Sequence, residues 1–320
     1  MTYGGVVVSL KVPDKAGKSE DVVLGFNSLD DYVRVTNSKS NAFFGAIIGR
    51  YANRIAHGTL SLDGQTYCVP VNDGPHSLHG GPNGFHNVLW KGKQIPNGVE
   101  LTYLSRDGEA GYPGNLSVTA RYTLRESALR IEYSASTDKP TVVNLTHHSY
   151  FNLAGQGRGG ILNHKLSLNA SRFTPVDATL IPTGELQGVV STPFDFRKPT
   201  IVGDRIDEQD EQVRFAKGYD HNWVLDRAGG HLAEAAEVYE PATGRVLRVL
   251  TTQPGVQFYT GNFLDETLEG KGGARYVHRG GLCLETQHFP DSPNHPQFPS
   301  TELKPGQRYH QVTEFSFSTR

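Results

Sequence analysis

Cysteine is scarce in this chain. The two present, Cys68 and Cys283, make no disulfide framework, and each reads as a small buried hydrophobe. Methionine is scarcer, since Met1 is the only one. No apolar run approaches the ~18–20 residues of a membrane-spanning helix. No basic region followed by an apolar core marks a signal peptide. Net charge is nearly lacking too. At −2 it gives neither nucleic acid nor an anionic membrane a reason to bind. No stretch supports a strand–loop–helix unit with a glycine-rich dinucleotide or phosphate loop. Tandem repeats and low-complexity linkers are missing, so one domain over residues 1–320 is expected rather than two.

What the chain has in quantity is turn chemistry, with Gly 36 and Pro 18. Between the turns runs a grammar of short alternating segments. Val6, Val8, Leu10 and Val12 alternate with Val7, Ser9 and Lys11. The pattern recurs at Leu116–Leu124, Ile131–Ala135, Leu166–Leu168, Val246–Leu250 and Phe315–Phe317. Turn signals at Asp63-Gly64, Asp73-Gly74, Asn97-Gly98, Asp107-Gly108 and Pro305-Gly306 separate such runs. Helical periodicity is confined to Ser28–Tyr32 and part of Asp204–Val213. The expected fold is all-β: a large antiparallel β-sandwich with few short helices.

Six segments are too rich in Gly, Asn, His and aromatics to be ordinary strand or loop. They are Gly49–Ile55 (GRYANRI), Ser77–Gly81 (SLHGG) with Gly84, Phe85 and Trp90 after it, Asn144–Leu153 (NLTHHSYFNL), Tyr219–Trp223 (YDHNW), Pro254–Asn262 (PGVQFYTGN) and Gly281–His288 (GLCLETQH) continuing through Asp291. Singly, each has a structural reading: Arg50 and Arg54 as surface charges or ion-pair partners, His79 as a loop residue, Asp220 as a turn cap. Together they supply amides and a guanidinium for hydroxyl recognition, aromatics for sugar faces, histidines and carboxylates, which is the equipment of a neutral carbohydrate site.

Alternation sorts the side chains within these segments. In a strand over Gly281–His288, Cys283, Glu285 and Gln287 share one face, and Leu282 and Leu284 the other. A lone Glu in such a strand is either a partnered structural acid or a working one. His148 shares a face with Asn144, Thr146 and Tyr150, whereas His147 falls with Leu145 and Phe151. Adjacent histidines on opposite faces cannot share one metal ion. His288, His295 and Asp291 are a weaker metal candidate. A Gly-x-Ser-x-Gly elbow and a Cys–His pairing are both missing.

In this order the six segments resemble the aldose 1-epimerases (galactose mutarotases). Thr174–Asp177 (TPVD), Ile181–Glu185 (IPTGE) and Pro193–Arg197 (PFDFR) extend the likeness over essentially the whole chain. The resemblance implies a β-sandwich with an open cleft and interconversion of the α and β anomers of free aldohexoses such as glucose and galactose. It implies Glu285 as general base, His148 as general acid and His79 as an auxiliary histidine. It places Asn53, Arg54, His79, Asp220 and Gln257 on the sugar. No metal or other cofactor is implied, and the partner is a monosaccharide, not nucleic acid or membrane. A monomer or weak homodimer in the cytoplasm is expected, with the periplasm or secretion the alternative if a leader preceded this sequence. The family pattern carries further strands before the segment matching Tyr3-Gly4-Gly5, where this chain starts. Two rival functions remain: a glycoside hydrolase or lyase, with Asp220 or Asp195 as second carboxylate, and a non-catalytic carbohydrate-binding protein.

Overall fold

A computed structural model describes residues 1–226 and 230–320. Alternation becomes strand where both neighbours are available. In Leu116–Arg125, for example, Leu116, Val118, Ala120 and Tyr122 are buried while Ser117 and Arg121 face solvent. That strand lies in a nine-stranded antiparallel sheet, where it pairs with Gly98–Ser105 on one side and Ala128–Thr137 on the other. Tyr309–Thr319 and Arg245–Thr251 continue the sheet, and Lys91–Ile95 forms one edge.

A six-stranded sheet packs against it, in the order Tyr150–Phe151, Leu282–Gln287, Gly255–Tyr259, Asp220–Leu225, Ala170–Thr174, Gln187–Gly188. The main core lies between them. Leu282, Leu284, Val256, Phe258 and Trp223 of the smaller sheet meet Val118, Ile131, Val249 and Phe315 of the larger. Burying each such side chain contributes about 1.5–3 kcal/mol. With one face of the smaller sheet committed to this core, its other face carries the polar residues.

Both helices form close to their expected places. Leu29–Thr36 starts on Ser28, whose hydroxyl accepts from Asp31 N–H. The second covers Glu211–Ala216, C-terminal to most of the expected stretch. Asp210 fixes its start by capping Gln212 and Val213, and Lys217 ends it in a left-handed conformation.

Three expectations need correction. The opening run forms a ladder only at Lys11–Pro13; Val6–Leu10 is not paired as strand, because its backbone bonds go to isolated loop positions such as Gly45. Cys68 is exposed, since its strand Gln65–Cys68 pairs only with Thr59–Leu62. Arg50 is neither a surface charge nor an ion-pair partner. Its guanidinium is buried and donates to the carbonyls of Pro113, Gly114, Ser105 and Arg106, tying four backbone acceptors to one cation.

Candidate active site

The polar face of the smaller sheet is set by strand register. Glu285 stands opposite Gln257, and Gln257 opposite Asn222; one row along, Cys283, Tyr259 and Asp220 are likewise opposed. Cross-strand partners share a face, so the Leu and Phe residues between them force these side chains outward together. Thr146–His148 pairs with Ala46–Ile48 and brings His148 onto Glu285, Nε2 lying 3.6 Å from Oε1. Surrounding loops complete a cleft of about 310 Å³. Asn53, Arg54, Asp73, His79, His148, Asp220 and Glu285 line its floor and walls, with Tyr150 and Tyr259 beside them.

Each group is oriented by a specific contact. Asn53 and His79, both at positive φ, clamp one another: Asn53 N–H donates to His79 Nδ1 at 3.1 Å, and His79 N–H donates to the Asn53 carbonyl. Since Nδ1 accepts, neutral His79 carries its proton on Nε2 and is a donor there. Gly80 permits this close turn; a Cβ on it would lie 2.1 Å from the Gly49 carbonyl oxygen, and its φ is +82°. Asn53 Oδ1 is taken by Arg54 N–H, which leaves the amide Nδ2 for a ligand. Arg54 Nε is held by Asp73 at 2.8 Å, so its terminal nitrogens remain for recognition.

Gln257 does not line the cleft. It donates from Nε2 to Asp220 Oδ1 at 2.7 Å and acts on the wall from behind. His147 turns to the core, against Tyr122 and Phe315, and hydrogen-bonds Ser149. Asp195 is ion-paired with Arg197 and does not line the cleft, so it is not a second carboxylate there. His295 pairs with Asp291 and His288 with Gln253, so these three do not form one ligand set.

Among the described residues, His79, His148 and Glu285 are the group of three that could hold a metal ion, with ligand atoms within 4.8 Å of one another. A cation on His79 Nε2 would require the other tautomer and the loss of the Asn53 hydrogen bond. The geometry therefore favours a donor to hydroxyl oxygen.

Burial dominates the electrostatics. It pushes the Glu285 carboxyl well above its usual 4.5; the neighbouring Asp220 charge adds to this and Arg54 opposes it. Asp220 is likewise raised by burial, against Arg54 and the Gln257 hydrogen bond. Burial lowers His148 to about 4 and His79 well below 6.5. An ionised Glu285 beside an imidazolium His148 is thus not the form that burial favours. The two are too close to titrate independently, so the pair holds a single proton across the interval between them, on whichever partner a ligand favours.

Sequence reasoning passed over several lining residues. Tyr259 shares a strand face with Gln257, a signal that could have identified it, just as alternation put Tyr150 on the face of His148. Tyr259 accepts Phe263 N–H, so its own proton is free to be donated. Phe43, at φ 56°, sets its ring against His79, His86 and His148, and nothing in its local sequence announces this. The rim, including Lys39, Phe263, Asp265 and Thr267, comes from segments without a distinctive pattern.

The family model for aldose 1-epimerase matches residues 1–316. A galactose mutarotase from Bos taurus is 48% identical over 318 residues, covering 99% of this chain and 90% of the relative. An aldose 1-epimerase from Escherichia coli K12 is 40% identical over 321 residues, with the same coverage. Among solved structures, an aldose epimerase homologue from C. elegans superposes with a TM-score of 0.90 at 32% identity, covering 99% of this chain and 94% of that one. A galactose 1-epimerase from Lactobacillus acidophilus gives 0.83 at 29% identity, with 99% and 90% covered. With its sandwich, its cleft and a match over nearly all of its length, the chain belongs to the aldose 1-epimerase family.

Proposed function

We propose that the cleft interconverts the α and β anomers of free aldohexoses such as glucose and galactose, with Glu285 as general base and His148 as general acid. The observation that carries this reading is the Glu285–His148 pair, 3.6 Å apart at the floor of the cleft. Glu285 takes the proton of the C1 hydroxyl while His148 donates one to the ring oxygen. The C1–O5 bond breaks and the open-chain aldehyde forms. Rotation about C1–C2 presents the other face. The C5 hydroxyl then attacks, His148 recovers its proton from O5, and Glu285 returns one to O1. Protons balance over the cycle and no electrons are transferred. Each group contributes about 10²–10⁴-fold.

The remaining groups hold the sugar. Asp220 accepts from hydroxyls by charge-assisted hydrogen bonds. Asn53 Nδ2, Arg54 and His79 Nε2 donate. The carboxylates of Asp73, Asp220 and Glu285 in the lining favour a neutral sugar over a sugar phosphate. Among the described residues no helix is long and apolar enough to cross a membrane. The reading takes neither nucleic acid nor membrane as partner, and has the protein acting as a monomer or weak homodimer in the cytoplasm.

Polarimetry on freshly dissolved α-glucose and α-galactose tests it. Catalysed approach to the anomeric equilibrium, with no release of nitrophenol from nitrophenyl glycosides, is expected. Sugar binding without acceleration would replace the reading with a binding protein, and glycoside cleavage would replace it with a hydrolase.

A further inference from the structure

Behind Glu285 lies a group of buried polar atoms without hydrogen-bond partners: both amide atoms of Asn222, both of Gln287, Gln257 Oε1 and Glu285 Oε2. Register places them together. Asn222, Gln257 and Glu285 form one cross-strand row, and Gln287 stands in the next row opposite Gly255. Gly255 contributes no side chain there. A Cβ on it would lie 2.4 Å from Asn222 Oδ1 and 3.1 Å from the Phe289 ring, so the Asn222 amide rests over bare backbone. Val224, which pairs with Gly255, packs in a small buried apolar cluster with Phe289 and Phe298. Thr146 Oγ1, two residues from His148 on the same face, is also unpartnered.

Leaving such groups unsatisfied costs about 1–3 kcal/mol each, and direct bonds among them are not made. The set contains both donors and acceptors, with Gln257 Oε1 and an ionised Glu285 Oε2 able only to accept. The ligand that satisfies it is small and offers both, which is water. We propose that Asn222 and Gln287 hold ordered water against Glu285 Oε2 and so act as positioning residues for that carboxylate. Oε1 is left for His148 and the sugar. Water donated to Oε2 stabilises the ionised form of a group that burial otherwise keeps protonated. The other titratable or charged neighbours are His148 from Thr146–His148, Asp220, Tyr259 and Cys283 from the sheet, Tyr150 at its edge, and Arg54 and His79 from the loops. The function assigned to this water rests on Glu285 being the base.

The test has two arms. An atomic-resolution crystal structure of the unaltered protein should show water within hydrogen-bond distance of Glu285 Oε2 and of the Gln287 amide. Direct bonds between the Asn222, Gln287 and Glu285 side chains, or a dry chamber, would overturn the proposal. The second arm is Gln287→Leu. Its pH–rate limb for Glu285 ionisation should move up by about one unit, kcat at neutral pH should fall about tenfold, and KM should hold. Gln287→Asn should restore the profile. A lowered Tm with an unshifted profile would overturn the positioning role. Should the leucine variant not fold, Gln287→Glu, whose charge would stand beside Glu285, should move the same limb up by more than about one unit, and an unshifted limb would overturn the positioning role. Were Glu285→Gln to retain activity, the base assignment would fail while the crystallographic water site stood or fell by itself.

Discussion

His147 and His148 are neighbours in the chain, yet one packs on Tyr122 and Phe315 while the other meets Glu285. Period-2 alternation anticipates the split. It predicts that His148→Asn lowers kcat at least about a hundredfold, whereas His147→Asn lowers Tm and leaves kcat near that of the unaltered protein. Rates and melting curves for both variants check this, and the reverse ranking would refute the face assignment. Asp220 is argued similarly. Its carboxylate is aimed by Gln257 and lines the cleft. Asp220→Asn removes charge-assisted acceptors worth about 1.5–3 kcal/mol, so KM for the sugar should rise tenfold or more, measured by initial mutarotation rates. Alternation could not reveal Phe43. Its position follows from a left-handed backbone turn and from three histidines distant in sequence, neither of which leaves a periodic trace.

At the level of elements, strands with two neighbours were legible and those at edges were not. Leu116–Arg125 and Leu282–Gln287 bury alternate residues against a second sheet, and that burial selected their pattern. Gln65–Cys68 has one neighbour and leaves Cys68 in solvent. Arg50 misled because a buried guanidinium satisfied by backbone carbonyls looks like any other Arg in a sequence. The loop at His79 shows how a short element can set chemistry. Gly80→Ala would drive a Cβ into the Gly49 carbonyl and require positive φ of alanine. It should lower Tm and also reduce kcat/KM, because His79 and Asn53 are clamped to each other. Thermal melting together with steady-state rates at low temperature separates the two effects; full activity in the folded variant would refute the clamp.

Over the whole molecule, buried neutral histidines govern the pH dependence of stability. Burial lowers His164 and His288 to about 4, and His86, His147 and His221 to about 3. Unfolded, each titrates near 6.5, so below that pH the unfolded chain binds more protons. Their contribution is complete above pH 6.5 and is lost as pH falls toward the folded values. Glu285 and Asp220, raised by burial, work in the opposite sense above their unfolded values, but the histidines outnumber them. Tm should therefore drop steeply between pH 6.5 and 4.5; a flat curve there would contradict the burial of these rings. We further propose that residues 1–320 form one domain, for which fluorescence and circular dichroism should report a single coincident transition.

The proposed catalysis turns on one carboxylate. Glu285→Gln keeps the size and polarity of the side chain and removes its capacity to take the C1 hydroxyl proton. Anomer exchange measured by NMR or polarimetry on the folded variant should fall at least about a hundredfold, with sugar binding retained. Exchange at the rate of the unaltered protein would contradict the assignment of Glu285 as the base.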